Sequence, residues 1–112
     1  MSRPDKVLSL LGLAMKAGKV SSGETAAENA VKSGKAYLVI VAGDASENTR
    51  KHFNDMCVYR DIPFMQYSDK ENLGRALGKD LRSNLAITDK GFADAIIKQA
   101  TDMDLSERSG NI

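Results

Sequence analysis

Residues 36–43, AYLVIVAG, are the stretch that decides the fold of this chain. The run is apolar or aromatic without a polar break, and it is rich in the β-branched residues valine and isoleucine. A strand with one wet face alternates apolar and polar residues, whereas a continuous apolar run is typical of a strand that is buried on both faces. Helices on both faces of a sheet bury such a strand in α/β proteins, so the run favours an α/β domain.

The segments on either side of this run alternate between helical and strand patterns. The predicted elements are helices at 5–16, 23–34, 44–61, 69–78 and 90–100, and strands at 19–23, 36–43, 62–68 and 83–89. The connections are short and helices alternate with strands throughout. This order predicts a three-layer α/β/α sandwich around a four-stranded, mostly mixed sheet.

Length and composition favour one globular domain. The chain has 112 residues, of which 42% are hydrophobic and 28% are charged. We expect a single domain over residues 1–100 and a flexible polar tail over residues 101–112, where the periodicity ends. The one cysteine, Cys57, cannot form an intramolecular disulfide, and no segment resembles a signal peptide or a membrane span. The sequence therefore predicts a soluble, cytoplasmic protein that does not enter a membrane.

The sequence offers little for catalysis or metal binding. The only histidine, His52, lies within the third predicted helix, and Cys57 lies on the apolar side of that helix, where a thiol is inert. No spacing of Cys and His residues matches a metal site. Asp44 and Asp89 each follow a predicted strand, where α/β enzymes often place functional groups, but each is also a good helix cap, which we favour. We predict no catalytic residue, metal or cofactor, and an enzyme that uses Asp44 or Asp89 is the weakest hypothesis.

The formal net charge of +1 conceals a basic excess near the N-terminus. Residues 1–35 carry six basic and three acidic side chains. Four of the lysines are close in sequence to the turn at 19–23, namely Lys16, Lys19, Lys32 and Lys35. This turn leads into the second helix, whose free N–H groups and positive dipole end can hold a phosphate or a base edge. Glu24 and Glu28 would repel phosphates, although carboxylates accept hydrogen bonds from the amino groups of bases. Charge alone favours an ordinary solvated surface.

Four stretches of the chain resemble the ribosomal L7Ae and L30e superfamily, and most closely its small bacterial YlxQ-type members. These stretches are LLGLAMKAGKVSSG at 10–23, AVKSGKAYLVIVAGDAS at 30–46, IPFMQYSDKENLGRALGK at 62–79 and LAITDKGFADAII at 85–97. The resemblance covers residues 6–98. It implies an α/β/α sandwich around a mixed sheet and a non-enzymatic protein. It also implies binding to kink-turn RNA, a sharply bent internal loop with tandem sheared G·A pairs.

The resemblance also implies a site. In this family, RNA contacts the turn and first helical residues after an opening glycine, together with the loop before the last strand. The glycine falls on Gly23. The usual Asn or Lys, Glu or Gln, and Lys of the helix fall on Thr25, Ala26 and Asn29, which depart from the family pattern. The loop falls on residues 81–83, where an apolar residue and an arginine are present. The RNA-binding residues that we predict are Lys16, Lys19, Ser22, Gly23, Glu24, Thr25, Asn29, Lys32, Leu81, Arg82 and Ser83.

The three departures bear on affinity. Ala26 cannot accept a hydrogen bond from guanine, Thr25 has a shorter reach than Asn, and Asn29 lacks a positive charge. A bidentate base contact contributes about 1–3 kcal/mol, so the loss of one or two weakens binding by roughly ten- to a thousandfold. The leading hypothesis is a monomeric protein that binds kink-turn RNA or other structured RNA, including ribosomal RNA, with the ribosome as a further partner.

Two alternatives stay open at this point. The chain could be a protein-interaction module that kept the fold and lost specific RNA recognition. The start of the second helix could also have a purely structural role, with Gly23 permitting the turn and Thr25 capping the helix.

Overall fold

The structure, a computed structural model, describes the backbone of residues 5–110 and the side chains of residues 5–103. Helices and strands alternate along the described chain, and every predicted element is present in the predicted order. The helices are α1 (Lys6–Lys16), α2 (Glu24–Lys32), α3 (Glu47–Arg60), α4 (Lys70–Ala76) and α5 (Lys90–Gly110), and the strands are β1 (Val20–Ser22), β2 (Leu38–Val41), β3 (Phe64–Gln66) and β4 (Asn84–Ile87).

The four strands form one mixed sheet in the order β1-β4-β2-β3. Strand β4 is antiparallel to both of its neighbours, whereas β2 and β3 are parallel. Val20 of β1 and Leu38 of β2 pair with Ile87 of β4 from its two sides. The C-terminal ends of β1, β2 and β3 therefore lie at the end of the sheet where β4 begins.

The central strand β2 shows why the apolar run decides the fold. Its side chains point alternately to the two faces of the sheet. Leu38 and Ile40 belong to a core formed with α1, α4 and α5, whereas Val39 and Val41 belong to a second core formed with α2 and α3. All four side chains are buried, and burying one contributes roughly 1.5–3 kcal/mol. The predicted three-layer α/β/α sandwich around a mixed sheet is confirmed.

Short polar side chains define the starts of the helices. Ser46, Asp69 and Asp89 each accept a hydrogen bond from the backbone N–H three residues further on, at 3.1, 2.7 and 2.8 Å respectively. Asp44 differs from the expectation, because its Oδ1 accepts the backbone N–H of Lys70 at 2.9 Å. It therefore caps the start of α4 rather than α3, and it joins the loop after β2 to that helix.

The last helix is longer than the sequence predicted. The expected end at residue 100 is wrong, because α5 continues to Gly110. Met103 lies after the expected end at residue 100 and still packs against the core shared with α1 and α4. Its Sδ lies 3.8 Å from the hydroxyl of Tyr67. This contact favours further helix after the apolar stripe ends. Residues 111 and 112 lie outside the described residues, and the division into a domain and a flexible tail stays a prediction.

Candidate nucleic-acid interface

The end of β1 and the loop before β4 meet at one corner of the molecule. The backbone N–H of Gly23 donates to the carbonyl oxygen of Asn84 at 3.2 Å. The Nε of Arg82 donates a long hydrogen bond of 3.5 Å to the Oγ of Ser22, sixty positions away in the chain. Because β1 and β4 pair antiparallel with Ser22 opposite Leu85, the two halves of the predicted site lie together. We call residues 22–26 and 81–83 the Gly23 corner.

Gly23 holds the turn that begins α2. Its φ is 93°, a conformation that favours glycine over every residue with a side chain. It occupies the N-cap position of α2, and no side chain accepts a hydrogen bond there. Thr25 is inside the helix, so the structural alternative in which Thr25 caps α2 is not observed. The first N–H groups of the helix therefore remain uncapped at the positive end of its dipole.

The side chains of the corner are mostly exposed. Glu24, Thr25, Ala26 and Asn29 are all exposed, and Thr25 and Asn29 are four residues apart, so they lie on one face of α2. Leu81 is 61% exposed, so a large apolar side chain stands beside these polar ones. The corner therefore presents a helix start and an apolar side chain together.

The loop before β4 is held in place by its own backbone and by Arg82. The backbone N–H of Arg82 donates to the carbonyl of Lys70 at 3.1 Å, and its guanidinium donates to the carbonyl of Leu81 at 2.9 Å. The backbone oxygen of Ser83 accepts the N–H of Ala42 at 2.9 Å. Arg82 is half-buried. The guanidinium therefore stands beside the end of β1 in a defined position.

The two acids of α2 differ in their surroundings. Glu28 forms an ion pair with Lys32 at 2.7 Å and lies 3.3 Å from the Nε2 of His52. The hydrogen bond from Lys32, followed by that from His52, lowers the pKa of the Glu28 carboxyl. Glu24 makes no ion pair with any side chain among residues 5–103. Only Glu24 therefore leaves an uncompensated negative charge at the helix start.

Three of the predicted lysines do not lie at the Gly23 corner. Lys19 precedes β1, and its carbonyl accepts the N–H of Thr88 at 2.9 Å, beyond the C-terminal end of β4. Lys16 ends α1 next to that point, and Lys32 ends α2. Lys19 and Gly23 are four positions apart in extended chain, which separates them by about 13 Å. The structure thus divides the predicted residues between opposite ends of β1 and α2.

Two residues that support the Gly23 corner were missed by the sequence analysis. Gly74 of α4 is buried, and a Cβ built on it would lie 1.7 Å from the carbonyl oxygen of Asp80, so the loop backbone rests directly on the helix. Asn84 begins β4 and is 2% exposed. Its Nδ2 donates to Ser83 Oγ at 3.2 Å, whereas its Oδ1 has no partner among the described residues. The sequence signals that could have pointed to them are a glycine within a predicted helix, for Gly74, and a polar residue in an apolar strand, for Asn84.

The described residues do not assemble a catalytic centre. Asp44 and Asp89 follow strands that are antiparallel, so they lie at opposite ends of the sheet, and each accepts a backbone N–H. Burial of Cys57 raises the pKa of its thiol to about 11, so the thiol stays protonated and unreactive, as expected for a core residue. Within the part of the chain that is described, no group of three or more His, Cys, Asp or Glu residues could hold a metal ion. None of the described helices is both long and apolar enough to cross a membrane.

Comparison with known proteins identifies the family. The model of the Ribosomal protein L7Ae/L30e/S12e/Gadd45 family matches residues 5–97. The chain belongs to this family. The fold and the family expected from the sequence are therefore both confirmed.

Three proteins are similar to this L7Ae-family chain in sequence or structure. The RNA-binding protein YlxQ of Bacillus subtilis (strain 168) is 42% identical over 88 residues, which is 79% of this chain and 88% of that protein. The large ribosomal subunit protein eL8 of Cenarchaeum symbiosum (strain A) is 33% identical over 94 residues, which is 83% of this chain and 75% of that protein. A solved structure of a Bacillus halodurans protein of unknown function superposes with a TM-score of 0.83 at 36% identity, over 86% of this chain and 97% of that one. The named relatives are an RNA-binding and a ribosomal protein rather than enzymes.

Proposed function

We propose that this L7Ae-family chain is a non-enzymatic RNA-binding protein that holds kink-turn RNA or another structured RNA, including ribosomal RNA, at the Gly23 corner. The observation that carries this proposal is the meeting of the uncapped start of α2 with Arg82, through the Arg82 Nε–Ser22 Oγ hydrogen bond. The names of the relatives, an RNA-binding protein and a ribosomal protein, point to the same class of ligand.

Each part of the corner has a role in this proposal. The free N–H groups of the first turn of α2 bind phosphate or the acceptor edge of a base. Arg82 offers a planar fork of donors that suits a phosphate or a guanine edge. Leu81 covers the face of a base that the bent RNA leaves unstacked, since structured RNA is recognised mainly at bulges and loops.

The departures from the family pattern shape the strength of this binding. Ala26 offers no acceptor for the amino groups of a G·A pair, and Thr25 reaches less far than asparagine. Glu24 is exposed, but it is two positions from residue 26 and points about 200° away from it around the helix, so it does not replace the acceptor of residue 26. We therefore expect Arg82 and the helix start to supply most of the discrimination. We also propose that the protein acts in the cytoplasm as a monomer, with the ribosome as one place of action.

The direct test is a titration of a kink-turn RNA and a plain duplex of equal length at two salt concentrations. We expect the kink-turn to bind at least tenfold more tightly at both. The variant Arg82→Ala should lose most of this difference, at a cost of about 1–3 kcal/mol. Lys98→Ala is a matched control, because Lys98 is an exposed cation on α5, on the opposite face of the sheet from α2. It should weaken binding to both RNAs slightly and equally.

Equal affinities for the two RNAs with a steep salt dependence would mean that only bulk charge is recognised, and they would contradict this proposal. Unchanged discrimination in Arg82→Ala would move the site away from the Gly23 corner.

The second candidate function is a protein-interaction module that kept this fold. It is favoured by the lack of a base acceptor at Ala26, by the shorter reach of Thr25 and by the 61% exposure of Leu81. Capture of partners with and without nuclease treatment separates the two functions. Partners that survive nuclease and are lost in Leu81→Ser would support the interaction module, whereas partners that nuclease removes support RNA binding.

A further inference from the structure

Two of the lysines that are absent from the Gly23 corner, Lys16 and Lys19, lie towards the other end of the sheet. Lys19 and Tyr37 lie on either side of the C-terminal end of β4, because the Lys19 carbonyl accepts the N–H of Thr88 at 2.9 Å and the Tyr37 N–H donates to the Ile87 carbonyl at 2.8 Å. Three further lysines are close in the chain to these residues: Lys16 precedes Lys19, Lys35 precedes Tyr37 and Lys90 follows Thr88. The set, which we call the distal lysine surface, is Lys16, Lys19, Lys35, Tyr37 and Lys90.

Most of the positive charge on this surface is uncompensated. Lys16, Lys19 and Lys35 are exposed, and none of them forms an ion pair with a side chain among residues 5–103. Lys90 pairs with Asp94 at 2.9 Å. The carboxylate of Asp89 accepts a backbone N–H of α5. The surface therefore carries a net positive charge that attracts a polyanion.

Tyr37 gives this surface a second property. Its side chain is 45% exposed, although it directly precedes the fully buried strand β2. The sheet brings Tyr37 to the same end as Lys19, although the two residues are distant in the chain. Lysines that follow a phosphate backbone beside an aromatic ring on which a base stacks are the combination that binds single-stranded nucleic acid.

We propose that the distal lysine surface is a second RNA contact, which binds a single-stranded segment that flanks the structured element. This inference rests on the proposed function for its ligand. Lys19 lies about 13 Å from Gly23 along β1, which is close to the rise of four base-pair steps, and Tyr37 lies two strands across the sheet, roughly 10 Å to the side. A short flank therefore spans from the Gly23 corner to Tyr37. A single strand is favoured over a duplex, because a base must be unpaired to stack on the tyrosine ring.

The test compares one kink-turn RNA with and without a single-stranded flank of about ten nucleotides, a length within the usual site size for such surfaces. We expect the flank to raise the affinity of the parent protein at least fivefold. The double variant Lys19→Ala/Lys35→Ala should lose this increase and reduce the slope of log K against log salt by about 1.4, since each phosphate contact on a single strand contributes about 0.7. Tyr37→Leu should lose the part of the increase that comes from stacking, with little change in slope because the lysine–phosphate contacts remain, and Tyr37→Phe should retain the full increase.

Two controls separate this inference from the proposed function. Arg82→Ala should weaken binding to both RNAs by the same factor and keep the effect of the flank. Lys98→Ala should change neither the effect of the flank nor its dependence on Tyr37. A flank that gives no increase, or an increase that survives in the Lys19→Ala/Lys35→Ala variant, would overturn the second contact. A free single strand of about ten nucleotides tests the second contact by itself, and binding that depends on these lysines and Tyr37 would support it. If the protein at the same time does not prefer a kink-turn over a duplex, only the proposal for the Gly23 corner is contradicted.

Discussion

The replacement of Gly74 by alanine tests how the fold positions the loop that carries Leu81 and Arg82. Gly74 is buried in α4, and an added Cβ would lie 1.7 Å from the carbonyl oxygen of Asp80 and 2.6 Å from its carbonyl carbon. Ordinary contact with a Cβ begins at 3.4 Å, so the Asp80 carbonyl has to move by about 1.7 Å. The atoms that must move belong to backbone, which cannot turn aside as a flexible side chain would.

The expected loss of stability follows from three contributions. Inserting a methyl group into a packed site costs about 1–3 kcal/mol. The loop is also held by the hydrogen bonds Lys79 N–H to Gly74 O at 2.8 Å and Arg82 N–H to Lys70 O at 3.1 Å, and weakening both costs roughly another 2 kcal/mol. Alanine is better than glycine in a helix by about 1 kcal/mol, which works in the opposite direction. We expect Gly74→Ala to lower the free energy of unfolding by about 3 kcal/mol.

Urea unfolding followed by circular dichroism measures this change. The matched control is Gly12→Ala, another glycine within a helix, where the added Cβ would lie 3.2 Å from the carbonyl oxygen of Ala76 and needs a shift of only a few tenths of an ångström. We expect Gly12→Ala to change the free energy of unfolding by less than about 1 kcal/mol. Where Gly74→Ala is still folded, its preference for kink-turn RNA should fall as it does in Arg82→Ala. A Gly74→Ala variant that is as stable as the parent would refute the reasoning.

Two further predictions concern the start of α2 and the core. The triple variant Thr25→Asn/Ala26→Glu/Asn29→Lys restores the family pattern. It should raise the affinity for kink-turn RNA at least tenfold in a gel shift, with a much smaller effect on the affinity for plain duplex. An unchanged affinity for kink-turn RNA would mean that α2 does not face the RNA. Burial raises the pKa of Cys57 from 9.0 to about 11, so its thiol should resist alkylation at pH 8 until urea unfolds the protein. Because the folded state disfavours the thiolate, ionisation of Cys57 destabilises the folded protein. The free energy of unfolding is unaffected by this ionisation below pH 9, and it falls by roughly 2–3 kcal/mol as the pH rises from 9 through 11. Cys57→Ala should show a flatter pH dependence over that range, and an identical slope would contradict the assignment.

Much of this fold was predictable because its signals are local. Periodicity and the apolar run at 36–43 predicted every helix and strand, and the caps at Ser46, Asp69 and Asp89 depend on residues only three positions apart. The end of α5 was not predictable in this way. Its continuation to Gly110 involves the packing of Met103 against distant elements, which no helical pattern in residues 101–112 reveals.

The sequence by itself determined the α/β class, the order of the elements and the glycine turn before α2, since each follows from residues close together in the chain. Only the tertiary structure decided what stands beside that turn. Lys19 is four positions from Gly23 but lies at the far end of β1, because an extended strand carries the chain about 3.3 Å per residue. Arg82 is sixty positions from Ser22 yet contacts it, because antiparallel pairing places the start of β4 beside the end of β1. Closeness along the chain therefore does not place Lys19 beside Gly23, whereas pairing between distant strands brings together the two halves of the predicted site.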